Sequence, residues 1–119
     1  MLTKQQIAKE LLKPYFDDSS TCSADRHGNC VYLNGDGNMC ALGKACSDRI
    51  NDANSMGIDC GAIVLIEEFG WDIINSKYRH IQDFRFWRII QYCHDMLASH
   101  KLSMALKAYK DLTGEEYEE

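Results

Sequence analysis

Proline is almost missing from this chain. One stands in 119 residues, at position 14. With few such breaks, and with apolar residues recurring at three- and four-residue spacings, the pattern favours helix. Long apolar runs are absent as well. No stretch approaches the ~18 consecutive apolar residues of a membrane-spanning helix. The opening "MLTKQQIAKELL" has no charged region followed by an apolar run, so no secretory signal is expected and a cytoplasmic location is. A basic excess is also lacking: 13 Lys and Arg stand against 18 Asp and Glu, net −5. Residues 1–60 carry six basic and eight acidic groups, residues 61–113 seven and six, and "GEEYEE" at 114–119 four acidic ones, so −2 + 1 − 4 gives −5. Nucleic-acid binding needs a basic surface, which this balance does not supply. An acidic mimic of DNA would need more carboxylates on the body than the chain has. No C-x-x-C pair occurs among the cysteines at 22, 30, 40, 46, 60 and 93, so no zinc knuckle is present. In a reducing compartment these six are thiols, metal ligands or nucleophiles rather than disulfides.

What is present is enough for one domain. Apolar residues make up 45% of the chain, and a domain of this size buries roughly 65% of its unfolded surface. The first helix is well signalled. Thr3 is a cap with Gln6 three residues on, Leu2 and Ile7 take the staple positions, and Ile7, Ala8, Leu11, Leu12 and Tyr15 share a face. Pro14 is expected to end it at Lys13. Residues 17–29 read as loop, and "CVYL" at 30–33 as a short strand. A helix capped by Asn38 is expected from about Cys40 to between Asp52 and Ser55. Another is expected over about 60–69, stopped by Gly70. A long helix capped by Gln82 or Asp83 should reach about Ala98. A last one, opened by Ser99 or Ser103, should bury Leu102, Ala105, Leu106, Tyr109 and Leu112 and stop at Gly114. The expected fold is mainly α with a minor β part: four to five helices over 1–113, a short β element near 30–33, and a solvated acidic tail, disordered at its end, over 114–119.

The stretch "NGDGNMCALGKAC", 34–46, imitates several sites. As a phosphate loop it needs glycine at 38, where asparagine stands, and a hydroxyl at 45, where alanine stands. As a calcium loop it has Asn34, Asp36 and Asn38 at the first, third and fifth positions. It then fails at Met39, where glycine belongs, and at Ala45, where glutamate belongs. The thiol of Cys40 survives better. At a helix N-terminus it would feel the positive end of the dipole and be activated if His80 or His94 lay near as base. Zinc would require Cys22, Cys30, Cys40 and Cys46 to converge from spacings of eight, ten and six positions.

"SKYRHIQDFRFWRIIQYCH", 76–94, is the densest segment in aromatic residues and arginine. Arg85 and Arg88 are three apart and Tyr92 four further on, so they share one helical face. Arginine and tyrosine are types enriched at interface anchors. A protein partner bound there is the leading expectation, with stacked single-stranded nucleic acid behind it.

Cys40, Ala41, Leu42 and Gly43, following a glycine turn and opening a helix, resemble a segment of small uncharacterised bacterial and phage proteins. The later "FGWDIIN" before a long helix is loosely similar. The resemblance implies a compact helical domain, a structural role for the Cys–Ala–Gly corner, and a phage-encoded accessory protein acting on host proteins in the host cytoplasm. It brings no activity and no cofactor. The leading expectation is therefore a non-enzymatic binding protein. A Cys40 hydrolase or transferase comes second and a structural zinc domain third.

Overall fold

The computed structural model describes residues 1–18, 45–46, 66–67 and 69–117. They are mainly helical. Three helices run in them: α1 over Lys4–Asp17, α2 over Phe84–Ala98 and α3 over Leu102–Thr113. That is fewer than the four to five expected. The two missing ones fall largely outside the described residues, as does the strand expected at 30–33. Of those two, the described positions show Ala45, Ile66, Glu67 and Phe69 as helical. Gly70 then leaves with φ +78, its N–H donating to the Ile66 carbonyl at 2.6 Å. Cys46 departs from the expected helix. It forms an isolated antiparallel bridge with Ile74, beside a hydrogen bond from Asn75 N–H to the Ala45 carbonyl.

α1 starts as its sequence dictates. Thr3 Oγ1 accepts from Gln6 N–H at 3.1 Å, and Gln6 Oε1 accepts from Thr3 N–H at 2.8 Å. Two of the helix's unsatisfied donors are met reciprocally. All five apolar residues of the expected face are buried. The stop at Lys13 is not observed. Pro14 lies inside the helix, which continues to Asp17. A proline there costs about 3 kcal/mol through its missing donor and its clash with the preceding turn. What offsets that cost is the next turn. Tyr15 is fully buried, and Phe16 packs edge-on against Tyr109 and face-on against Tyr117.

Between Gly70 and α2 the chain makes a short 3-10 turn at Trp71–Ile73 and places Ile73 and Ile74 fully inside. Asp83 then caps α2, its Oδ1 accepting from the N–H groups of Arg85 at 3.0 Å and Phe86 at 3.3 Å. Its Oδ2 accepts from Lys4 Nζ at 2.8 Å, so one carboxylate ties together the starts of α1 and α2. The Lys4 hydrogen bond is the main reason the Asp83 carboxyl titrates below its ordinary range, with the two backbone N–H groups adding to it.

α2 buries Phe86, Trp87, Ile90, Gln91, Cys93, His94 and Leu97. It packs on both α1 and α3, and most extensively on α3. Trp87 is fully enclosed, and its indole N–H finds the Ile81 carbonyl at 2.8 Å. The turn into α3 departs from the expectation of a serine cap. Ser99 closes α2 instead, and His100 adopts φ +60. His100 N–H donates to the Leu97 carbonyl and Lys101 N–H to that of Met96, the paired bonds of a Schellman end. α3 begins after Lys101 with no side-chain cap. Its buried residues are Ala105, Ala108, Tyr109 and Thr113, whereas Leu102, expected inside, is 55% exposed. The two alanines bring the backbones of α2 and α3 close, and Cys93 Sγ donates to the Ala105 carbonyl at 3.4 Å.

Gly114 ends α3 in the left-handed region at φ +74, as expected. Beyond it, Tyr117 stacks on Phe16 with centroids 4.2 Å apart, and its hydroxyl donates to Asp17 at 3.1 Å. Lys9–Glu115 and Lys110–Glu116 ion pairs accompany it.

Two outcomes follow from α1 and Asp83. Pro14→Ala should raise stability by about 1–3 kcal/mol, since it restores a helix donor without touching the core; urea unfolding checks this, and a loss would contradict it. Asp83→Ala should cost about 1 kcal/mol near pH 7. A depressed carboxylate stabilises the fold above its unfolded value of about 3.9 and loses that contribution as pH falls through its folded value. The gap between variant and native protein should therefore close on acidification, and a gap independent of pH would contradict the assignment.

Candidate functional site

Because α2 turns its apolar side to two neighbours, its remaining strip faces water. Arg85, Arg88 and Tyr92 lie on that strip, and all three are exposed, Tyr92 by 42%. Arg88 is one turn before Tyr92, and Arg85 one turn before Ile89. Beside them, between α2 and α3, runs a half-open groove of about 330 Å³ lined by Ile89, Tyr92, Met104, Lys107, Ala108 and Asp111. Met104 is 43% exposed. On α3 the lining positions 104, 107, 108 and 111 recur at three- and four-residue spacings, opposite the side that carries Ala105 and Tyr109 into the core. Met104 and Lys107 were not read from sequence as part of a binding face. The signal for them was this second stripe, offset from the buried one.

The charges separate this face from the rest of the surface that the described residues form. Lys4, Lys9, Lys13, Lys77, Arg79 and Lys110 each form an ion pair, with Asp83, Glu115, Asp17, Glu10, Asp72 and Glu116 respectively. These pairs are exposed and each contributes little to stability, of order 0–1 kcal/mol. They do mark which cations the fold has engaged. Arg85, Arg88, Lys101 and Lys107 form no ion pair among the described residues, and all four lie on α2, α3 or the turn between them. A larger groove of about 670 Å³ lies against the tail, lined by Lys9, Lys13, Tyr109, Glu115, Glu116 and Tyr117. There the lysines are paired within the chain. The hydrogen bond from Lys13 holds the Asp17 carboxyl below its ordinary range, and burial followed by the bond to Asp17 raises the Tyr117 hydroxyl.

The expected catalytic groups do not assemble in the described residues. His80 Nε2 lies 2.6 Å from the Leu2 carbonyl, at the start of α1. His94 is fully buried, its Nδ1 3.0 Å from Asp95 Oδ1, which also accepts from Gln91 Nε2 at 3.0 Å. Its ring meets Tyr15 edge-on at 4.8 Å, near the other end of α1. Leu2 and Tyr15 are separated by about 20 Å of helical rise, so the two histidines are held apart and at most one could serve a given thiol. Cys40 lies outside the described residues, as do Cys22 and Cys30. Cys46 and Cys93 are both buried. Among the described residues, no group of three or more His, Cys, Asp or Glu side chains is placed to hold a metal ion. No helix among them is long and apolar enough to cross a membrane.

No protein-family model, curated protein or solved structure matches the chain. Exposure and charge are what distinguish one face of the protein from another. By those measures the α2–α3 face stands out, with apolar side chains left in water and cations that have no carboxylate partner among the described residues.

The burial of two thiols gives a check on the packing beneath that face. In native protein at neutral pH, iodoacetamide should leave Cys46 and Cys93 unmodified, and both should react fully in denaturant. Peptide mass spectrometry reads the difference, and rapid native labelling of Cys93 would contradict the close α2–α3 contact.

Proposed function

We propose that this is a non-enzymatic binding protein that acts through a protein partner docked on the α2–α3 face. One observation carries the reading: an apolar groove lined by exposed Tyr92 and Met104 and by Lys107, with Arg85 and Arg88 one helical turn before its lining residues Ile89 and Tyr92, and none of these three cations in an ion pair among the described residues. Tyrosine, methionine and arginine are enriched in the buried centres of protein interfaces. A neighbouring cluster of exposed apolar side chains on a small domain marks a contact site more often than a single one does. Tyr92 and the two arginines take no part in the core, so their presence is not explained by folding.

The test is photocrosslinking in a lysate of the source cells. A benzophenone side chain at 92 or 104 should crosslink one protein species, and the same group at 13 on α1 should not. The crosslink should vanish in Arg85→Glu/Arg88→Glu with the helical circular dichroism unchanged. Equal crosslinking from all three positions, or indifference to the charge reversal, would contradict the reading.

A further inference from the structure

We infer that the element which docks on this face is an acidic amphipathic α-helix, with its apolar stripe in the α2–α3 groove and its carboxylates against Arg85, Arg88 and Lys107. The inference rests on the docking face proposed above and names what occupies it. Two antiparallel helices leave a trough between their ridges, and a third helix fills such a trough with anchors one and two turns apart. An added strand would instead need an open sheet edge. Among the described residues the only β pairing is the isolated Cys46–Ile74 bridge, which belongs to the turn before α2 rather than to the groove.

The sign of the partner follows from the charges. The groove and the adjoining strip of α2 carry three cations and two carboxylates, Asp111 and Asp95, the latter already engaged by Gln91 and His94, on a chain whose net charge is −5. The other described cations, Lys101 excepted, already have carboxylates within the chain. The three on this face present their charge outward, so among the described residues an approaching acidic surface is steered here. The same arithmetic disfavours a symmetric pairing of two copies. An isologous contact would set this patch, with more cations than carboxylates, against a copy of itself. Asp111 adds a restriction of its own: it repels a carboxylate at its end of the groove, and so favours a helix with neutral or basic character there.

Selection from a displayed library of helical peptides tests this. Peptides of roughly 16 residues match the length of α2, about 22 Å. The inference predicts that peptides selected on the native protein are net acidic, with apolar residues at intervals of three and four. Synthesised winners should bind at least tenfold more weakly to Arg85→Glu/Arg88→Glu and to Tyr92→Ala/Met104→Ala. They should also weaken at least tenfold at about 1 M salt, where screening acts within about 3 Å. Winners with no acidic bias that still depend on Tyr92 and Met104 would overturn the acidic helix and leave the docking face standing. Winners indifferent to all four substitutions would overturn both. Binding of oligo-dT that is lost in Arg85→Glu/Arg88→Glu would overturn a protein helix in favour of nucleic acid. A concentration-dependent dimer abolished by the same variant would overturn it in favour of a second copy.

Discussion

α2 is packed against α1 on one side and α3 on another, and that double burial decides what the remaining surface is. A helix with two neighbours has only a narrow strip left for water. Phe86, Trp87, Ile90, Cys93 and Leu97 serve the packing, each large apolar side chain contributing about 1.5–3 kcal/mol by leaving water. Trp87 fixes the rotation of the helix, because its indole N–H must reach the Ile81 carbonyl while its ring stays enclosed. Once that rotation is set, Arg85, Arg88 and Tyr92 have nowhere to point but outward.

The same constraint shapes the α2–α3 contact. Ala105 and Ala108 let the helices approach closely, and the Schellman end at Ser99–Lys101 turns the chain back within three residues. Close approach leaves a shallow furrow rather than a deep cleft. It is half open to water, unlike the enclosed pockets of small-molecule sites. The proposed partner is a macromolecular surface for this reason, and the cations that are unpaired among the described residues give that surface its sign.

Local chemistry was legible in the sequence wherever neighbours in the chain decide it. The Thr3–Gln6 box, the Asp83 cap, the end of α2 at Ala98 and the stop at Gly114 all follow from residues within one turn of each other. The 3.6-residue period likewise put Arg85, Arg88 and Tyr92 together. Signals failed where distant contacts win. Pro14 reads as a stop, yet burial of Tyr15 and Phe16 carries α1 past it. Ser99 reads as a helix start, yet the turn uses His100 in a left-handed conformation, which histidine adopts more readily than most residues other than glycine. The Cys46–Ile74 bridge joins residues with no local pattern linking them. Leu102 counts as core by periodicity alone, but the rotation of α3 is set by its alanines and Tyr109 instead. The readings centred on Cys40 fall outside the described residues, while His80 and His94 are engaged at opposite ends of α1.

The central claim is that Arg85, Arg88 and Lys107 serve recognition and not folding. Neutralising all three, as Arg85→Gln/Arg88→Gln/Lys107→Gln, and measuring urea unfolding beside partner binding tests it most directly. The account predicts stability within about 0.5 kcal/mol of the native protein, as for surface changes that break no contact, together with loss of the partner. A fall in stability beyond that range with binding retained would contradict it.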